Sequence, residues 1–480
     1  MTTISATGSV SSLGIGSGLD VNSIISGLMK VEQAPLTQLQ TKATSIQSTV
    51  SAYGAVSSAM STFRDAAATL ALPSTWNATT STSANPTAVG VTSSASAAAG
   101  NYAIGVQSLA AAQSTVSGTF ASNSALVGTG TLHFDIGTWS SGNAAFTPTG
   151  GSTGVDVAIA STDTLDTLAS KVNAANTGVS ASVVNDNTGA RLVFAAQKTG
   201  LANSFRITAV GADAGVSALA YNPPGGATAT TQTQSAADAK ATINGLPVTS
   251  SSNTLSNVLN GLTVSLNQVT TSPVQVSVAQ DTSGITKSAQ TFIDSYNALS
   301  TLLTTDLAYN SATKVAGPLQ ADSSAISLQR QLRNVLSSAS GASTVFTTLS
   351  QVGLQVQTDG TLKLNSATLG SALSSNPSEL KKLFTNVDLL NPTNDGIANQ
   401  LRTLGDTVTG ATGLLTSRVA GLTKSLNANQ SDQSKLSDRL AVTQARLQKQ
   451  YSALDAQMAG INTLANYVTQ QITSWNKSTA

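Results

Sequence analysis

The chain has no cysteine and a single histidine, His133, in 480 residues. Without thiols it has no disulfide framework, no thiolate zinc site and no cysteine nucleophile. Charged residues make up only 9% of it, far below the roughly 25% of an average soluble domain. Lys+Arg number 23 against Asp+Glu 22, with no basic run, so a nucleic-acid partner has no electrostatic footprint. Glutamate occurs only at Glu32 and Glu379. No apolar run reaches the roughly 18 residues of a membrane helix, so no membrane partner is expected. The first twenty residues lack the basic region and apolar core of a secretory signal. An exported chain of this kind uses another route, and cytosolic residence fits these facts equally well.

Ser, Thr, Ala, Gly, Asn and Gln fill the place of the missing charge. A surface of hydroxyls and amides has few ions to desolvate and suits packing against copies of itself. An Ala-rich coding bias gives the same composition.

Periodicity divides the chain. Asp20 is placed to cap a helix whose Ile24, Leu28 and Val31 recur at helical steps. After Pro35 a heptad runs through Leu36, Leu39, Ala43, Ile46, Val50, Tyr53, Ser57 and Met60, and Leu72-Pro73 ends it. At the other end Val419, Leu426, Leu440, Leu447, Leu454, Ile461 and Val468 share a seven-residue lattice broken by Gln433. Leu422, Leu436 and Leu464 fill the partner positions, and Tyr451, Met458, Ala465 and Ile472 form a second seam. A helix over Val419 to Ile472 would be roughly 80 Å long.

Between these ends the period falls to two. Val155, Val157 and Ile159 read as a strand, 161–175 as a helix, and Val179 to Val184 with Arg191 to Phe194 as a hairpin. Residues 222–236 read as a linker, Ala241 to Ile243 as a strand entering the turn Asn244-Gly245, and Leu255 to Leu259 as a short helix. Strands are expected at Leu262 to Leu266 and Val274 to Val278. Gly284 to Leu307 is helical again, and Leu354 and Val356 face Leu362 and Leu364 across Asp359-Gly360.

Catalytic readings find little support. Gly14-Ile15-Gly16-Ser17-Gly18 has no preceding strand and no closing Lys-Ser/Thr, so it is not a phosphate loop. His133 would have to serve any Ser-His-Asp triad, yet no nucleophile elbow accompanies it. Asp186 and Asp359 sit at turn positions and Asp20, Asp163 and Asp322 at cap-like ones, so no carboxylate pair stands out. No enzyme activity, cofactor or metal is expected.

The motifs are more specific in their order than singly. They begin with Gly16-Ser17-Gly18-Leu19-Asp20-Val21, Ile24-Ile25, Leu28-Met29 and Pro35-Leu36. A central set comprises Thr164-Leu165 through Asn173, Gly178-Val179, and Ala237-Asp238-Ala239 through Gly261-Leu262-Thr263-Val264. Pro318 to Ser323, Gln331-Leu332-Arg333, Asp359-Gly360-Thr361-Leu362 and Asn376-Pro377 follow, and Tyr451, Leu454-Asp455, Met458 and Tyr467 to Gln471 end the series. In this order they resemble the bacterial flagellar filament cap family, FliD or hook-associated protein 2, over nearly the whole chain.

The resemblance implies a multidomain α+β fold, with terminal helices forming a coiled-coil or helical bundle leg and inserted β-rich head domains. The expected divisions are a disordered 1–18, a coiled-coil segment 19–72, and a leg domain of 73–108 with 281–400. A β-rich head follows at 109–236, a second β-rich head unit at 237–280 and a C-terminal coiled-coil helix at 401–480. It also implies an extracellular place at the distal tip of the filament, reached by flagellar type III export with an export chaperone. The implied partners are a homo-oligomeric ring, commonly a pentamer, flagellin, and the hook-filament junction proteins. Ile46, Val50, Tyr53, Leu440, Leu447, Leu454 and Ile461 are the candidate contact residues. A flagellin-like filament or junction subunit is the nearest alternative. An adhesin binding glycans near Phe134, Trp139 and Phe146 is a second.

Overall fold

A computed structural model describes residues 20–151, 153–225 and 227–478. The segment 1–18, expected to be disordered, its glycine cluster and Leu19 lie outside the described residues. The chain divides into two compact units, one spanning Ser74–Ile285 and the other combining the chain up to Pro73 with the chain from Thr286 onward.

Within Ser74–Ile285 there are two cores. One is held by a five-stranded antiparallel sheet in the order Thr79–Ser83, Val274–Gln280, Gly100–Ser108, Ala239–Ile243, Leu246–Ser250. Alternation explains its inward face, since Val274, Val276 and Val278 are buried while Gln275 and Ser277 are exposed. Asn244 and Gly245, both at positive φ (51° and 83°), make the tight turn between its last two strands. The segment 73–108, expected in the leg, therefore belongs here. Ile104 and Val106 pack with Ala241, Ile243 and Val276 in one shared core.

Leu255 to Leu259, expected as a helix, is instead part of the strand Thr254–Leu259, paired with Leu262–Leu266. The turn between them requires glycine. Gly261 has φ +74°, and a Cβ there would lie 2.4 Å from the Ala97 amide nitrogen.

The second core lies between a six-stranded sheet containing Gly130–Trp139 and Ser204–Val210 and a four-stranded sheet containing Val179–Asp186 and Gly189–Ala196. Phe134 meets Phe194 edge-on across it, ring centroids 5.8 Å apart. The helix Leu165–Ala174 buries Leu165, Leu168 and Val172 against this core. Its N-cap is Thr164, not Asp163: the Thr164 hydroxyl accepts from the Thr167 amide, and the Thr167 hydroxyl accepts from the Thr164 amide. The expected linker 222–236 carries short strands instead, with Thr231–Gln234 paired to Ser114–Val116. Its polar composition concealed edge pairing.

In the helical unit, Val21–Glu32 is capped by Asp20, whose carboxylate accepts from the Ser23 amide, and Ala34–Ala71 restarts at Pro35. The face that Val21–Glu32 buries is not Ile24, Leu28 and Val31 but Val21, Ile25 and Met29, packed with Leu36, Leu39, Leu436, Leu440, Leu447 and Tyr451. Both stripes are apolar, so periodicity did not choose between them. Phe63 contacts the rings of Phe292 and Tyr296 at 5.2 and 5.6 Å. The hairpin Leu354–Val356/Leu362–Leu364 has the expected register, Leu354 opposite Leu364. The last helix, Leu414–Ser478, has 65 residues, about 98 Å at 1.5 Å per residue. None of the described helices is long and apolar enough to cross a membrane.

Candidate contact surface of the helical unit

The seven candidate residues fall into three environments. Tyr53 and Leu440 are buried, Ile46, Val50 and Leu447 half-buried, and Leu454 and Ile461 exposed at 42% and 58%. Tyr53 and Leu440 are thus core residues. Leu447 packs at the margin of the cluster around Val21 and Ile25. Only Leu454 and Ile461 offer free apolar surface.

That surface extends further than the candidates did. Leu464, Tyr467, Val468 and Ile472 are 46–63% exposed and Trp475 73%, on the same helix. The signal was in the sequence, because the heptad continues past Tyr451 while the described N-terminal helix begins only at Val21. Ile24, Leu28 and Val31 add a second exposed stripe.

Where the long helix is covered, polar groups fix its position. Tyr53 Oη donates to Asp322 Oδ1 at 2.6 Å, and Arg418 donates to Asp322 Oδ2 through Nε at 3.1 Å and Nη2 at 2.7 Å. Asp322 Oδ1 also accepts from the Ser324 amide, capping Ser323–Ser337. Burial pushes the Asp322 carboxyl up, but the Tyr53 and Arg418 hydrogen bonds outweigh it and leave the group below its usual range. Burial first, and then the Asp322 carboxylate, raise the Tyr53 phenol well above its ordinary value. One carboxylate therefore ties three helices in one register. Further along, Gln433 Nε2 donates to Asn429 Oδ1 at 2.6 Å and to the Leu39 carbonyl at 3.4 Å, so the break in the heptad is a polar register contact.

The residues weighed for catalysis serve other ends. His133 Nδ1 faces Asp156 Oδ1 at 2.6 Å and Nε2 faces Asp135 Oδ1 at 3.2 Å, while Arg206 grips Asp135 Oδ2 at 2.7 and 3.0 Å. With both ring nitrogens engaged by carboxylates, the imidazole has no nitrogen turned to a nucleophile. Asp186 accepts from the Thr188 hydroxyl and amide and from Arg191, which holds its carboxyl at about 2. Asp359 likewise accepts from Thr361 in the hairpin turn. The Asp163 carboxylate accepts from the Ala160 amide and pairs with Lys171.

Comparison with known proteins accounts for a helical unit joined to a β-rich one. The family described as "Flagellar hook-associated protein 2 N-terminus" matches residues 17–113, and "Flagellar hook-associated protein 2 C-terminus" matches 236–463. "Flagellin hook IN motif" matches 145–198. The flagellar hook-associated protein 2 of Escherichia coli K12 is 30% identical over 477 residues, covering 96% of this chain and 98% of that protein. The B-type flagellar hook-associated protein 2 of Pseudomonas aeruginosa is 27% identical, covering 96% and 97%. The crystal structure of the D1-D2-D3 domains of the flagellar cap protein FliD from Escherichia coli superposes with a TM-score of 0.63 at 27% identity, covering 78% of this chain and 99% of that one. By sequence along nearly all of its length and by the fold of most of it, this chain belongs to the flagellar hook-associated protein 2 family, the flagellar filament cap proteins.

Proposed function

We propose that this chain caps the growing distal tip of the flagellar filament outside the cell, where it promotes folding and insertion of exported flagellin and prevents its leakage. The observation that carries this reading, given the family, is the exposed apolar stripe from Leu454 to Ile472. A helix fastened by Tyr53, Asp322 and Arg418 at its start carries that stripe well beyond the bundle, available to the filament beneath. The reading includes assembly of copies into a homo-oligomeric ring, delivery by an export chaperone and the type III apparatus, and succession to the hook-filament junction proteins. Its work is binding and not chemistry. The open-filament subunit and the adhesin have no comparable support from the relatives.

Ile461→Asp tests it more cleanly than Leu447→Asp, because Leu447 is part of a core and Ile461 is not. In a strain lacking the native gene, the Ile461→Asp chain should be exported while unpolymerised flagellin collects in the medium. Normal filaments in that strain would sink the assignment of the stripe.

A further inference from the structure

Methionine occurs four times, at Met1, Met29, Met60 and Met458. Met1 lies outside the described residues. Met29 and Met60 are core side chains, 5% and 0% exposed. Met458 is half-buried, the one methionine among the described residues that the fold does not enclose.

Its place on the long helix is specific. Leu454, Met458, Ile461, Ala465, Val468 and Ile472 follow one another at steps of four and three, so they line one face of Leu414–Ser478. That face is the apolar stripe, and Met458 stands inside it, one turn from Leu454 on one side and from Ile461 on the other. Tyr451, two turns earlier, still packs on the core around Val21 and Ile25, and no described residue of the helix beyond it joins that core. A thioether is apolar and polarizable, which suits a contact seam. Its sulfur is also oxidisable to a degree that follows access. The resulting sulfoxide is polar, and its oxygen needs a donor that an apolar contact does not offer.

We propose that Met458 is an oxidation site, where hydrogen peroxide converts the thioether to the sulfoxide and so weakens the hold of the stripe on flagellin. A sulfur lone pair attacks one peroxide oxygen and the O–O bond breaks. The hydroxide that leaves takes the proton of the new S–OH, so the products are the sulfoxide and water. The sulfur is oxidised and the peroxide reduced by the same electron pair. The step is reversible by methionine sulfoxide reductase, unlike damage to a backbone. A docked partner covers the stripe, so the vulnerable form is the chain before it docks. The inference rests on the assignment of the stripe to flagellin in the proposed function.

The absence of cysteine leaves methionine as the chain's main sulfur target, which makes the test direct. Purified full-length chain is exposed to hydrogen peroxide, quenched with catalase and digested for mass spectrometry. Met458 should oxidise about tenfold or more faster than Met29 and Met60, and the three should react alike once the chain is unfolded in urea. Equal oxidation of Met29 or Met60 in the folded chain would overturn the site. The oxidised chain, with native circular dichroism, should bind untreated flagellin monomer about tenfold more weakly, and methionine sulfoxide reductase should restore the binding. Met458→Leu should bind normally before and after peroxide, although Met1 is present in both chains. Loss of binding that persists in Met458→Leu would overturn the proposal. An oxidised native chain that binds fully, beside an Ile461→Asp chain that does not, would overturn it and leave the stripe assigned. Normal binding by Ile461→Asp as well would overturn both readings.

Discussion

Single side chains decide register in this protein. Asp322 accepts from a buried phenol, a guanidinium and a helix N-terminus at once. Asp322→Ala removes the cap and strands the Tyr53 hydroxyl, and should destabilise the helical unit by about 2–4 kcal/mol in denaturant unfolding. Tyr53→Phe should suppress part of that loss, because the orphaned hydroxyl is then absent. His133 makes the β-rich unit pH-dependent. Its hydrogen bond to Asp156 raises its pKa above the ordinary 6.5, with burial opposing and the Asp135 charge reinforcing the rise. A histidine raised on folding adds stability that is complete below pH 6.5 and is lost as pH climbs through the higher folded value. The unfolding midpoint of the second core should therefore fall with rising pH through that window, and the fall should be absent in His133→Gln.

Helices and strands show where periodicity was enough and where it was not. The terminal heptads were legible because Leu36 to Met60 and Val419 to Val468 keep a seven-residue spacing of apolar side chains interrupted at Ser57 and Gln433, and Pro35 and Pro73 marked the breaks. The stripe on Val21–Glu32 was misread because Ile24, Leu28 and Val31 are as apolar as Val21, Ile25 and Met29. Only the position of Leu436 and Leu440 distinguishes the faces. Thr254–Leu259 was misread because a run with Leu255, Val258 and Leu259 satisfies a helical spacing, while its partner Leu262–Leu266 and the Gly261 turn decide for a strand. Of the candidate contact residues, Tyr53 and Leu440 were indistinguishable from Leu454 and Ile461 by pattern. Burial depends on where the neighbouring helix stops, which no lattice records. Ile25→Asp should release Val21–Glu32 from the bundle, seen as loss of amide-exchange protection in that helix. Ile24→Asp should leave its protection unchanged, and equal loss in the two variants would contradict the face assigned here.

At the scale of the molecule, the β-rich unit is one continuous stretch, Ser74–Ile285, with two cores of its own. A fragment of residues 74–285 should fold alone, with native circular dichroism and cooperative calorimetric unfolding; a molten profile would deny it independence. The long helix has a different consequence. Between Leu454 and Ser478 only Asp455 and Lys477 carry charge, one of each sign. A surface with so few ions has almost nothing for dissolved electrolyte to screen, so the contact proposed for it would rest on excluded water. Such a contact should hold in fresh water and in brine alike, and tighten modestly as salting-out ions accumulate.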